Sequence, residues 1–208
     1  LAYKVGKVLA DESKENGISI NLGPGGNLHR NILCGRHPEY YSEDPILAGT
    51  LMAYQARGLE ENGVIATYKH LIANNMEFER KSAHGIIDEN TLRDLYLRVF
   101  DKAFSLYKPG CVMTSYNPVN GIYPCENATL LNDLLRGEWG FDGFVMTDWG
   151  SYDTADSIKS VCAGTNLLTP GSKKHFRMIL KAVKRNEISK AALQHSVKQI
   201  VKVLVRCI

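Results

Sequence analysis

Apolar residues along this chain alternate between short continuous runs and longer stretches in which they recur every third or fourth position, the pattern of βα units laid around a parallel sheet. The spacing predicts a helix over Leu1 to Asn16, a strand over Ile18 to Leu22, and a glycine-rich loop, Gly23-Pro24-Gly25-Gly26. A helix over Pro45 to Asn62 then precedes a strand over Val64 to Tyr68, and a helix over Thr91 to Leu106 precedes a strand over Cys111 to Ser115. A short helix over Leu130 to Glu138 leads into a strand over Gly143 to Thr147, a helix over Thr154 to Val161 and a strand-like Thr165 to Leu168 closed by Pro170-Gly171. From Lys174 onward the pattern is helical, broken near Asn186-Glu187-Ile188, with Ser189 as the cap of the last helix. This makes about five strands against the eight of a complete barrel. Because the chain opens inside a helix with no strand before it, the expectation is an α/β fold that is part of a larger (β/α)8 TIM-type barrel. A complete five-stranded doubly wound sheet is the alternative, although Gly23-Pro24-Gly25-Gly26 lacks the GxGxxG spacing of a dinucleotide site.

The strand Gly143 to Thr147 ends abruptly in Asp148-Trp149-Gly150. In α/β proteins chemistry sits at the carboxyl ends of parallel strands, so Asp148 is the first catalytic candidate. The competing structural reading is a helix N-cap for the helical stretch beginning at Tyr152.

Composition narrows the class. The 208 residues are 44% hydrophobic and 23% charged, ordinary values for a chain that can bury one sizeable core. The net charge of +3 is small and its lysines and arginines are interspersed with acids, which argues against a nucleic-acid partner. No apolar run approaches the roughly 20 residues that span a bilayer, so no membrane role is expected, and nothing in the chain assigns a compartment. The five cysteines, Cys34, Cys111, Cys125, Cys162 and Cys207, show no metal-binding spacing and no even-numbered disulfide framework. Cys111 and Cys162 lie in apolar, strand-like surroundings and read as buried small hydrophobes. Asn127-Ala128-Thr129 fits the short glycosylation acceptor pattern and carries little weight.

Four sets of residues together resemble glycoside hydrolase family 3. They are Gly35-Arg36 with Glu39 and Ser42-Glu43-Asp44-Pro45; Lys69-His70 with Ala73-Asn74-Asn75 and Glu77; Met113-Thr114-Ser115-Tyr116-Asn117; and Thr147-Asp148-Trp149-Gly150. The likeness is to the catalytic barrel domain of the β-glucosidase type, and it runs unbroken from about Leu1 to the end of the chain. It implies one unit, residues 1–208, a partial barrel in which 172–208 are closing helices. The first strands and a second α/β sandwich domain would lie outside these residues.

What the resemblance implies chemically is retaining hydrolysis of a β-linked sugar, with Asp148 as the nucleophile. A retaining glycosidase needs one ionised carboxylate to attack and one protonated acid to assist the leaving group, roughly 5 Å apart. Lys69 is expected to keep Asp148 ionised. Arg36, Lys69 and His70 match the family residues that hydrogen-bond sugar hydroxyls, Tyr116 the tyrosine that holds the carboxylate, Trp149 an indole facing the ring, and Met113 a pocket lining. Arg36 has an alternative, pairing with Glu39 or Glu43, and Tyr116 and Met113 each have one as core residues. Adjacent strand residues point to opposite faces, so Lys69 and His70 can share one pocket only if the backbone between them is distorted or cis.

The family's general acid in the β-glucosidase branch is a glutamate of the second domain, so that domain is the expected partner, with a β-linked oligosaccharide or an aryl or alkyl glucoside as substrate. Glu77, Glu79, Glu126 and Glu138 read as structural or surface residues and take no acid role. Lys69-His70-Leu71-Ile72-Ala73-Asn74-Asn75 departs from the Lys-His-Phe-Pro-Gly-like motif of the branch that carries its acid as a histidine, which leaves His70 and His84 poor candidates. Asn166 and Thr169 stand where the family usually has Asp and Met, so glucose or xylose specificity stays open. The competing functions are an inactive carbohydrate-binding remnant, a β-xylosidase-type member, and a barrel lyase or aldolase using Lys69 as a Schiff base. No metal or organic cofactor is implied. With early strands outside the chain, an exposed sheet edge or apolar gap is also expected.

Overall fold

Three parallel strands form the centre of the sheet in the computed structural model, which describes residues 1–207. They are β1 (Thr67–Leu71), β2 (Cys111–Thr114) and β3 (Phe144–Met146), in that order across the sheet. Parallel bridges continue the sheet on both sides, Ile20 with Ile65 and Gly25 with Lys69 beside β1, and Leu167 with Met146 beside β3. The five predicted strands therefore occupy adjacent positions, but the outer two pair only at isolated residues. In the first of them Pro24 lacks an amide donor and three glycines add no side chain to pack. The described residues form an open parallel α/β sheet, part of a domain, and not a closed barrel.

β1 lies three residues later than the apolar run predicts. Ile65 pairs outward, its amide donating to Ser19 O at 2.9 Å, while the ladder to β2 begins at Thr67 opposite Cys111 and carries on through the polar Lys69 and His70. The register slips between Tyr68 and Leu71, and the Lys69–His70 peptide is cis.

Period-two alternation sorts the strand residues onto two faces. Ala66, Tyr68, Val112 and Val145 join the larger apolar cluster with Met52, Leu59, Phe100, Phe104, Leu131 and Leu135. Ile65, Cys111, Met113, Phe144 and Met146 form a second cluster with Val203.

The helices follow the predicted plan with shifted ends. α1 (Ala2–Glu15) packs on α2 (Pro45–Glu60) at Gly6 and Gly58, where a Cβ would collide with the backbone oxygens of Gln55 and Tyr3. Asp44 caps α2 by accepting from Ile46 N at 2.7 Å and Leu47 N at 3.1 Å. The helix expected over Thr91 to Leu106 is a continuous run of α3 (Glu89–Thr91), a π-wound stretch Leu92–Leu97 and α4 (Arg98–Leu106). That expected over Leu130 to Glu138 is π-wound throughout Thr129–Glu138. After β3 the chain makes a 3-10 turn, Ser151–Asp153, and only then α5 (Ser157–Ala163), followed by α6 (Lys173–Lys184) and α7 (Lys190–Leu204). Ser189 caps α7 as expected, accepting from Ala192 N at 3.0 Å.

Cys111 is buried, but Cys162 is exposed. The buried positions of α5 are Ser157, Ser160 and Ala163, and Cys162 lies off that face. Ile18 and Leu22 on the outer segment and Phe176, Val201 and Leu204 on the last helices are exposed apolar side chains. Among the described residues no helix is long and apolar enough to cross a membrane, and no group of three or more His, Cys, Asp or Glu is placed to hold a metal ion.

Candidate active site

Parallel strands deliver their carboxyl ends to one side of a sheet, and here the candidate residues emerge there. Lys69 and His70 lie in the last part of β1, Tyr116 follows β2, and Asp148 and Trp149 follow β3. Arg36 comes from the loop before α2, at the start of a 3-10 turn, His37–Glu39.

The side chains form one connected polar cluster. Arg36 Nη2 lies 3.0 Å from His70 Nε2, and Nε2 lies 3.4 Å from Asp148 Oδ2. Glu39 pairs with both cations, with Arg36 through one carboxylate oxygen and with Lys69 Nζ through the other at 2.9 Å. Arg36 therefore does pair with Glu39, but within the site and not on the outer surface. Tyr116 donates its hydroxyl to the Trp149 carbonyl at 2.6 Å, and the Trp149 amide donates to Asp148 Oδ1 at 2.7 Å. One carboxylate oxygen of Asp148 is thus fixed by backbone. The other, Oδ2, is buried and has no hydrogen-bond partner.

The N-cap reading of Asp148 gives way here. The helix after β3 is capped by Asp156, which accepts from Ile158 N at 2.7 Å and Lys159 N at 3.0 Å.

Burial raises the Asp148 carboxyl above its ordinary value, and the Trp149 amide, Tyr116, Arg36 and Lys69 offset this only in part. Lys69 favours the ionised carboxylate as expected but is the smallest of these contributions, its ammonium being paired with Glu39. Burial also pushes Glu39 up, yet the bonds from Arg36 and Lys69 outweigh it and hold Glu39 below its ordinary value. Burial, with the charges of Lys69, Arg36 and Arg80, holds His70 well below the usual histidine range. A neutral His70 that accepts from Arg36 at Nε2 carries its proton on Nδ1, which lies 3.1 Å from Tyr40 Oη and 3.3 Å from Asn27 Oδ1. Burial, and next the negative charge of Asp148, push the Tyr116 hydroxyl up to about 12.

Trp149 is 60% exposed, its indole free beside Asp148. Met113 is buried in the apolar cluster with Cys111, Phe144 and Met146, and none of the hydrogen bonds of the polar cluster involves it. Several members of the cluster escaped the sequence reading. Asn27 clasps the His70 backbone, donating to its carbonyl and accepting from its amide, both at 2.9 Å. Tyr40 joins His70 to Asn74, whose Nδ2 donates to the Tyr40 hydroxyl at 3.0 Å. Arg80 stacks over the Tyr116 ring at 4.6 Å and pairs with Glu77 at 3.0 Å. Glu39, Asn74 and Glu77 stood in the motifs already quoted, and Tyr40 follows Glu39 directly in the same turn, whereas Asn27 comes from a loop distant in sequence.

Comparison with known proteins gives the family. The family model described as the glycosyl hydrolase family 3 N terminal domain matches residues 1–203. The chain belongs to glycosyl hydrolase family 3. Thermostable beta-glucosidase B of Acetivibrio thermocellus is 41% identical over 205 residues, 98% of this chain and 27% of that protein. Probable beta-glucosidase J of Aspergillus fumigatus is 39% identical over 207 residues, 98% of this chain and 24% of that protein. Among solved structures, beta-glucosidase 3B from Thermotoga neapolitana in complex with glucose superposes with a TM-score of 0.94 at 40% identity, covering 99% of this chain and 30% of that one. This family 3 chain therefore spans about a quarter of the length of the curated relatives it matches.

Proposed function

We propose that this chain is the nucleophile-bearing part of a retaining β-glucosidase. The observation that carries the reading is Asp148, a buried carboxylate with Oδ1 held by an amide and Oδ2 unpaired beside a cluster of donors. In this mechanism Oδ2 attacks the anomeric carbon while the glycosidic C–O bond breaks, and the leaving oxygen takes a proton from an acid supplied by a second domain of a longer protein. Water, deprotonated by the same acid group in its basic form, then releases the sugar and restores Asp148. Arg36, Lys69 and His70 bind the hydroxyls of the sugar. Trp149 offers an apolar face to the ring, and Tyr116 holds the Asp148–Trp149 segment through its carbonyl. Residues 1–208 belong to the catalytic barrel, with 172–208 as its closing helices. The substrate is a terminal β-D-glucoside, a preference supported by relatives named beta-glucosidases and by a glucose-bound structural neighbour.

The test is covalent trapping. Incubating the full-length protein with a 2-deoxy-2-fluoro-β-glucoside bearing a good leaving group should add one fluoroglucosyl group to the peptide containing Asp148, and Asp148→Ala should abolish it. Labelling of a different carboxylate would overturn the assignment.

A further inference from the structure

We propose that Glu39 is a positioning residue of this site, dividing its carboxylate between Arg36 and Lys69 so that both cations face the sugar and neither is captured by Asp148. The inference rests on the glycosidase reading above and adds a residue to it.

Arg36 lies on a loop before α2 and Lys69 on β1, so nothing in the local backbone sets one relative to the other. Glu39 supplies that link. One of its oxygens meets Arg36 Nε, and the other lies 2.9 Å from Lys69 Nζ. The three side chains are partly shielded, at 22%, 32% and 15% exposure for Arg36, Glu39 and Lys69, so their charges are screened less than those of a surface pair. Lys69 pairs with no other carboxylate among the described residues, and Arg36 otherwise has Glu77 at 3.8 Å. A flexible ammonium without Glu39 would turn to another anion, and Asp148 offers a buried Oδ2 without a hydrogen-bond partner, as Glu77 offers Oε1. A nucleophile clamped by a lysine attacks poorly, because the lone pair needed for the new bond is engaged.

The groups facing Asp148 come from every neighbouring element. His70 approaches from β1 at 3.4 Å, Tyr116 holds the Trp149 carbonyl, the Trp149 amide holds Oδ1, and Arg36 and Lys69 contribute positive charge. Arg80 and Lys81 sit against the Tyr116 ring, and Lys81 also reaches the Gly150 carbonyl at 3.3 Å. Against that excess of cations Glu39 and Glu77 are the balancing carboxylates, Glu77 between Arg36 and Arg80 and Glu39 between Arg36 and Lys69. Removal of Glu39 therefore changes both donor geometry and the charge seen by Asp148.

Glu39→Gln and Glu39→Asp, made in the full-length protein, separate these effects. Glutamine keeps the shape and removes the charge; aspartate keeps the charge but is too short to span both cations. For hydrolysis of an aryl β-glucoside, Glu39→Gln should shift the acidic limb of the kcat/KM profile down by about 0.5–1 pH unit and raise KM about tenfold. Glu39→Asp should raise KM with the limb in place. A wild-type limb and KM in Glu39→Gln would overturn the proposal, as would an unchanged KM in Glu39→Asp, which decides the matter if the glutamine variant fails to fold. A purely structural role would lower the active fraction and leave limb and KM alone, also overturning it. Failure of the glycosidase reading looks different: the wild type would not turn over the glucoside, or Asp148→Ala would match it. Glucose titration followed by tryptophan fluorescence then carries the comparison, with about tenfold weaker binding expected in Glu39→Gln and equal binding refuting the role.

Discussion

Asp148 Oδ2 and His70 Nε2 face each other at 3.4 Å with no proton between them, because Nε2 is turned to Arg36 at 3.0 Å. An ionised Asp148 and a neutral His70 in this orientation are two acceptors side by side. A hydroxyl group placed between them could donate to one and accept from Arg36, which is the hydrogen-bonding capacity of a sugar alcohol.

Removing the negative charge of Asp148 should therefore separate function from folding. Its raised pKa means that the native state binds more protons than the unfolded one, so stability falls as pH rises through the interval that begins at the ordinary value of 3.8. Asp148→Asn removes this penalty. Melting temperature at pH 7 should be unchanged or higher while β-glucoside turnover is lost. Asp156→Ala, the true helix cap, should do the reverse, costing about 1 kcal/mol with turnover per folded molecule retained.

His70 makes the opposite contribution. Its pKa is held well below the ordinary 6.5 by burial and by the neighbouring cations. Below pH 6.5 the unfolded chain takes up a proton that the native chain refuses, so stability should fall as pH drops, by up to about 1.4 kcal/mol per unit from this group. Denaturant titrations from pH 7 to 5 on wild type and His70→Gln check it. The variant should show the shallower loss.

Tyr116→Phe deletes the hydroxyl that donates to the Trp149 carbonyl at 2.6 Å. The expected loss is about 0.5–1.5 kcal/mol of stability. Turnover should fall further than that alone explains, because the same segment carries the Asp148 carboxylate. Comparing kcat with the unfolding free energy of the variant tests the coupling.

Gly58→Ala should destabilise the chain although alanine favours helices by about 1 kcal/mol. Its Cβ would meet the Tyr3 carbonyl where α1 crosses α2, and such overpacking costs about 1–3 kcal/mol. Chemical denaturation gives the sign directly, and a stabilised variant would refute the close packing.

The sequence by itself determined the order of elements and placed the candidate residues Asp148 and Trp149 at the end of a strand. Apolar runs at Cys111–Thr114 and Phe144–Met146 and the helical spacing of Pro45–Glu60 record burial against a sheet, a property each segment carries locally. Asp148 and Trp149 were legible for the same reason, standing where a buried run stops, whereas Arg36, Lys69, His70 and Tyr116 stood out only through the resemblance to family 3. Tertiary structure alone decided which polar groups meet. It set Lys69 on Glu39 instead of on Asp148, put Asn27 against the His70 backbone, laid Arg80 on Tyr116, and turned Met113 into the core. Those outcomes depend on distances between loops far apart in the chain and on the depth of burial they create. Neither quantity is written in the periodicity of any one segment, and burial, by making an unpaired charge costly, is what selects the partners.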